Sequence, residues 1–170
     1  QEKVSDKSNE ISAIPELLDS LLIRGYLVTI DAMGCQSEIA AKIREQKADY
    51  LLAVKGNQPS LQVTLQERFG LAQREALEQA GQYARFSEQS HGRFVWQEFW
   101  VATNAGEVDA ERWPGCKMLG MVESLRKVGG KESAPERRYY ISSRPLPAAD
   151  FAKAVRAHWG IENGVHWMLD

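Results

Sequence analysis

A chain of 170 residues with 44% apolar side chains is large enough to bury a core, and it reads as one globular domain. Its 21 basic and 23 acidic side chains leave a net charge of -2, which excludes long-range attraction as the basis of nucleic-acid binding, so any DNA contact must come from local patches. No apolar run approaches membrane-spanning length, and the two cysteines, Cys35 and Cys116, lack metal-type spacing and argue for reduced thiols.

Residues 1–9 read as the end of a strand followed by a turn. Ile14, Leu17, Leu18, Leu21 and Leu22 then recur at helical spacing, with Ser12 as N-cap and Pro15 in the first turn, which predicts a helix to about Arg24. Gly25 stops it. Residues 26–30 form a short apolar run of the kind expected for a strand buried on both faces, and Asp31 marks its C-terminal end. Ile39, Ala40 and Ile43 predict a second helix, and residues 50–54 a second buried strand, so the punctuation is β-α-β.

The turn Lys55-Gly56-Asn57-Gln58-Pro59 opens a long predicted helix with Leu61, Leu65, Phe69 and Ala72 on one stripe. From residue 83 the pattern alternates and becomes aromatic-rich, with Gly92, Gly129 and Gly130 as hairpin turns. A last helix carries Phe151, Val155, Trp159, Glu162, His166 and Leu169 along one line. The expectation is a single α/β unit over residues 1–170: a β/α core at 1–82, a β-rich insertion at 83–145 and a final core helix at 146–170.

In open α/β sheets ligands gather outside the carboxyl ends of the strands, so Asp31 and the Lys55-Asn57-Gln58 loop should open into the same crevice. Glu162 lies in an apolar stripe and must be protonated, paired or metal-bound. Two acids delivered by a strand end and a distant helix are what a two-metal phosphoryl-transfer site uses, because carboxylate oxygens bind Mg²⁺ and align the attacking and leaving oxygens. No third acid stands out. Asp31 capping its own turn, and Glu162 paired with an arginine, remain the plainer readings.

Asp31, Glu45 and Lys47 match a D…E-x-K nuclease pattern in spacing only, since Glu45 and Lys47 fall at a helix end where strand alternation is absent. Nothing near Cys35 favours a thiolate. Lys55 and Asn57 beside the crevice, His91 and Arg93 at a hairpin, and Arg126, Lys127, Arg137 and Arg138 around the Gly129-Gly130 turn are either solvated charge or DNA-backbone contacts.

Four strings decide more than spacing: YLVTIDAMGCQ at 26–36, ADYLLAVKGNQ at 48–58, HGR at 91–93 and HWGIENGVHWMLD at 158–170. Together they resemble the DDE insertion-sequence transposases of the H-repeat-associated family, across almost the whole chain. The resemblance implies a ribonuclease-H-like sheet with flanking helices, here incomplete at the N-terminus and carrying the β-rich insertion before the last helix. It also implies three carboxylates that hold two Mg²⁺ (or Mn²⁺) ions and cut and join DNA. Carried over, Asp31 looks like the second acid and Glu162 like the third, with the first upstream of Gln1.

In related bacterial transposases the final Glu follows Tyr by seven residues and Arg by four, and precedes Lys by seven. Here those positions are Val155, His158 and Leu169, and His158 remains available for phosphate. The expectation is a cytoplasmic catalytic-core fragment with DNA and further copies of itself as partners, inactive alone for want of the first acid. A non-catalytic DNA-binding or assembly remnant is the alternative.

Overall fold

The computed structural model describes the backbone of residues 2–90 and 92–169 and the side chains of residues 11–89 and 92–160. In chain order the elements are α1 (Glu2–Ser20), β1 (Leu27–Ile30), α2 (Ser37–Glu45), β2 (Asp49–Val54), α3 (Pro59–Arg68), α4 (Leu71–Gln79), β3 (Tyr83–Ser90), β4 (Arg93–Ala102), β5 (Met118–Val128), β6 (Lys131–Glu132), β7 (Glu136–Ser142) and α5 (Ala148–Leu169). All seven strands form one sheet in the order β1-β2-β7-β5-β4-β3, with β6 paired to β5.

The predicted β-α-β unit is present. β1 and β2 pair in parallel, with Leu27 opposite Asp49 and Ile30 opposite Leu52, and α2 is the crossover. Every later strand joins antiparallel to its neighbour, starting with β7 on β2, where Val54 faces Tyr139. The β-rich stretch therefore continues the sheet that carries the β-α-β unit.

Strand alternation sends side chains to two cores. Tyr50, Leu52, Val54, Trp100, Met121 and Ile141 pack with α2 and α3, while Leu51, Phe99, Met118, Val122 and Tyr140 pack with Phe151 and Val155 of α5. The seating of α5 is set by Gly120, where an added Cβ would come within 2.6 Å of the Phe151 ring. Phe99 and Tyr140 meet that ring edge-on, at centroid distances of 6.0 and 5.4 Å.

Three expectations need correction. Residues 2–9 are helical and belong to α1, so Pro15 lies well inside the helix and Ser12 is not its start. Their charged and hydroxyl side chains carry no period-two apolar face, so nothing there could pack as a strand on this sheet. The helix also ends at Ser20 rather than Arg24, because residues 23–26 form a turn in which the Tyr26 N–H donates to the Ile23 carbonyl and Gly25 takes φ 82°. The long helix after Pro59 is two helices: Phe69 closes α3, Gly70 is the extended N-cap of α4, and Ala72 is exposed. Glycine is the weakest helix former after proline, and the stripe breaks there.

The glycine turns are as read. Gly129 and Gly130, at φ 56° and 80°, form a two-residue loop between paired Val128 and Lys131, and Gly92 at φ 76° turns β3 into β4. Among the described residues no helix is long and apolar enough to cross a membrane.

Candidate functional site

Parallel pairing brings the carboxyl ends of β1 and β2 to the same side of the sheet, and a cleft of about 540 Å³ opens there. Asp31, Lys55, Asn57, Arg138 and His158 all line it. Antiparallel β7 brings Arg138 in, because Tyr139 lies opposite Val54 and the next residues of the two strands, Arg138 and Lys55, flank the same mouth.

Asp31 is exposed, and one carboxylate oxygen accepts the Gly34 N–H at 3.2 Å. The side chain thus caps its turn, as the plainer reading held, while keeping further acceptor capacity toward the cleft. Asn57 donates to the Ala32 carbonyl at 2.7 Å, and buried Gln58 donates to the Cys35 carbonyl at 2.9 Å, so the loops after β1 and β2 are tied together. Arg112 donates to Gln58 Oε1 at 2.9 Å and fixes that amide.

On the α5 side, Thr29 Oγ1 and His158 Nδ1 are hydrogen-bonded at 3.0 Å. Arg138 lies over the Trp159 ring at 4.6 Å and donates from Nε to Glu136 at 2.9 Å. Lys55 is exposed and has no ion-pair partner among the described residues. Among the described residues the cleft therefore juxtaposes one carboxylate with a lysine, an arginine and an imidazole.

Other predicted residues lie elsewhere. Arg137 points to the opposite face of β7, where it donates to Glu123 at 2.6 Å and lines a groove with Arg74. That carboxylate keeps the guanidinium protonated more firmly than usual, hydrogen bonding to Glu123 being the main cause. Arg93, Arg126 and Lys127 are exposed at the far end of the β4–β5 ribbon, outside the cleft. His91 lies outside the described residues. Glu162 is within α5, four residues after His158, and its side chain is likewise outside them.

The rejected alternatives stay rejected. Glu45 ends α2 and Lys47 sits in a turn at φ 59°, so neither is on a strand beside Asp31. Cys35 is fully buried, and burial pushes its thiol up to about 12, far from thiolate chemistry at neutral pH.

Sequence reading missed Thr29, Tyr139 and Tyr140. Thr29 lies on β1 two residues before Asp31, which follows the strand end, a spacing that could have been used. The tyrosines reach the cleft only through the β2–β7 pairing, which no local pattern reveals.

A family model described as "Transposase DDE domain" matches residues 1–170. The chain is 46% identical over its whole length to "Putative transposase YncI" of Escherichia coli O157:H7, covering 44% of that protein. It is also 46% identical to "Putative protein YbfL" and "H repeat-associated putative transposase YhhI" of Escherichia coli K12, covering 46% of each. It thus spans under half the length of these relatives. No solved structure matches it significantly. The mixed α/β sheet with flanking helices is consistent with the ribonuclease-H-like fold of such enzymes, and with a family match over every residue, this chain belongs to the DDE transposase family.

Proposed function

We propose that this chain forms part of the catalytic core of a DNA transposase, with Asp31 and Glu162 as its metal-binding acids. The observation that carries the reading is an exposed carboxylate at a strand end, in a cleft that also presents Lys55, Arg138 and His158. Carboxylate oxygens are the hard donors that Mg²⁺ and Mn²⁺ prefer, so Asp31 fits as one ligand. Among the described residues no group of three His, Cys, Asp or Glu side chains is assembled, and Glu162 is the further donor in this reading.

When bound, the divalent ions would polarise a phosphodiester and lower the barrier to in-line attack. The protein's own groups would do the positioning. Lys55 and Arg138 neutralise phosphate charge at the cleft mouth, and Arg138 is held in place by Trp159 and Glu136. Asn57 ties the loop after Asp31 to the loop after Lys55 through the Ala32 carbonyl. In the reaction, water attacks a phosphodiester and frees a 3′-hydroxyl, which then attacks target DNA. With two acids assigned where the resemblance calls for three, the 170 residues by themselves are expected to bind metal and DNA without cutting.

A second reading is favoured by one observation. Asp31 already caps its turn through Gly34, so it can be structural in a chain that binds DNA without metal. DNA binding measured by anisotropy, with and without Mn²⁺, separates the two. Binding strengthened by Mn²⁺ and made metal-independent by Asp31→Asn supports the transposase core. Salt-sensitive binding indifferent to both supports the DNA-binding remnant.

A further inference from the structure

We infer that Thr29 is a positioning residue for the cleft, its hydrogen bond to His158 acting as the directional latch that sets α5 against β1. The inference rests on the assignment of Asp31 and Glu162 as the paired acids, and it names what brings them together.

The other contacts that seat α5 are mainly apolar or stacked: Phe151 against Phe99, Tyr140 and Gly120, Val155 in the core, Arg156 over Phe86 and Arg138 over Trp159. Together with the Arg156–Glu88 ion pair at 3.9 Å, these contacts seat α5 on β3, β4, β5 and β7, and none of them is a polar tie to β1. The Thr29–His158 bond, at 3.0 Å, ties β1 itself to the helix at one atom on each side. Asp31 lies one residue past the end of β1, two after Thr29, and lines the same cleft as His158 of α5. Position 162 follows His158 by four and so falls on the same side of the helix. The latch thus joins the two surfaces on which the acids stand, about one strand repeat from one and one helical turn from the other.

The chemistry of the pair suits a fixed spacer. A threonine hydroxyl donates to a bare Nδ1 or accepts from a protonated one, so the bond survives a change of tautomer or charge. Valine keeps the shape and strand preference of threonine and removes only the hydroxyl, whereas serine keeps the hydroxyl and loses the methyl.

Two measurements test this. In Mn²⁺ calorimetry, Thr29→Val is expected to weaken affinity about tenfold, with Thr29→Ser close to wild type, as expected for one well-aligned hydrogen bond. Where wild type binds Mn²⁺, equally tight binding by Thr29→Val would overturn the inference, and so would equal weakening by both variants, which would indicate packing alone. The second is cross-linking of an Asp31→Cys/Glu162→Cys pair with a short bis-maleimide, which needs no metal. Cross-linking that is retained with Thr29→Ser and lost with Thr29→Val supports the latch. A cross-link indifferent to residue 29, or absent in every background, overturns it. If wild type binds no Mn²⁺ but the cross-link depends on Thr29, the metal assignment fails and the latch stands.

Discussion

Asp31 and Cys35 sit four residues apart in one turn and have opposite fates. Asp31 faces the cleft and keeps acceptor capacity, while Cys35 is sealed beneath the loop with its carbonyl held by Gln58. Burial pushes the Cys35 thiol up to about 12 and the Cys116 thiol to about 11, from an ordinary 9.0. Above pH 9 the unfolded chain releases protons that the folded chain retains, so stability falls as pH rises through that window. Urea midpoints at pH 8 and pH 10 should differ, and Cys35→Ala should reduce the difference. A midpoint independent of pH in wild type would show that these thiols are not buried as described.

At this scale the sequence was most legible where a residue's role depends on its own strand end. Asp31, Lys55 and Asn57 were placed in one crevice because a β-α-β pattern ends two parallel strands on the same side. Arg138 was named for a different reason, as part of a hairpin cluster, and it reaches the cleft through β7. Its neighbour Arg137 faces the other way and pairs with Glu123, since adjacent residues of a strand point to opposite faces. Thr29 escaped notice because its partner lies 129 residues away.

Among elements, the close approach of α5 to β5 is the contact on which the cleft's second wall depends. Gly120→Ala would drive a methyl into the Phe151 ring, and the expected cost is about 1–3 kcal/mol, read as a lower melting temperature together with weaker DNA binding. Unchanged melting would mean that the helix is not seated as described. The opposite end of the sheet is held by Asp49. Burial alone would raise its pKa, but hydrogen bonds from Ser143 and Arg144 and the charge of Arg44 hold it below the ordinary 3.8. Its contribution is therefore present at neutral pH and lost as pH falls through the acid range below 3.8. Asp49→Asn should make stability less sensitive to pH between pH 5 and about pH 2, a slope that acid titration of the folded fraction reads directly.

Elements were legible where periodicity was strong and unbroken: the buried run of β2, the α2 stripe and the glycine hairpins match, whereas β1 forms where its apolar run predicts but is half-buried and not buried on both faces, because it is the edge strand of the sheet. The misreadings of the long helix after Pro59 and of residues 2–9 have different physical origins. A stripe of Leu61, Leu65, Phe69 and Ala72 continues in period across Gly70, but backbone propensity breaks the helix there. Residues 2–9 have no apolar period of either kind, and their helix is continuous with the amphipathic segment that follows.

At the scale of the whole molecule, a net charge of -2 means that DNA affinity must come from a few placed cations. Lys55→Ala and Arg138→Ala are each expected to reduce the slope of log affinity against log salt by about 1, while Arg137→Ala, on the opposite face of β7 and outside the cleft, should change it less. Equal effects from all three would point to a diffuse patch instead of the cleft. The chain spans 44% to 46% of the length of three Escherichia coli relatives that it matches.

If Asp31 and Glu162 act together on a divalent ion, titration of the purified chain with Mn²⁺ by calorimetry, beside Asp31→Asn and Glu162→Gln, will show it. Wild type should bind saturably and either substitution should abolish binding, with melting temperatures little changed because asparagine can still accept the Gly34 N–H. Wild-type binding no stronger than that of the two variants would contradict the assignment of the two acids.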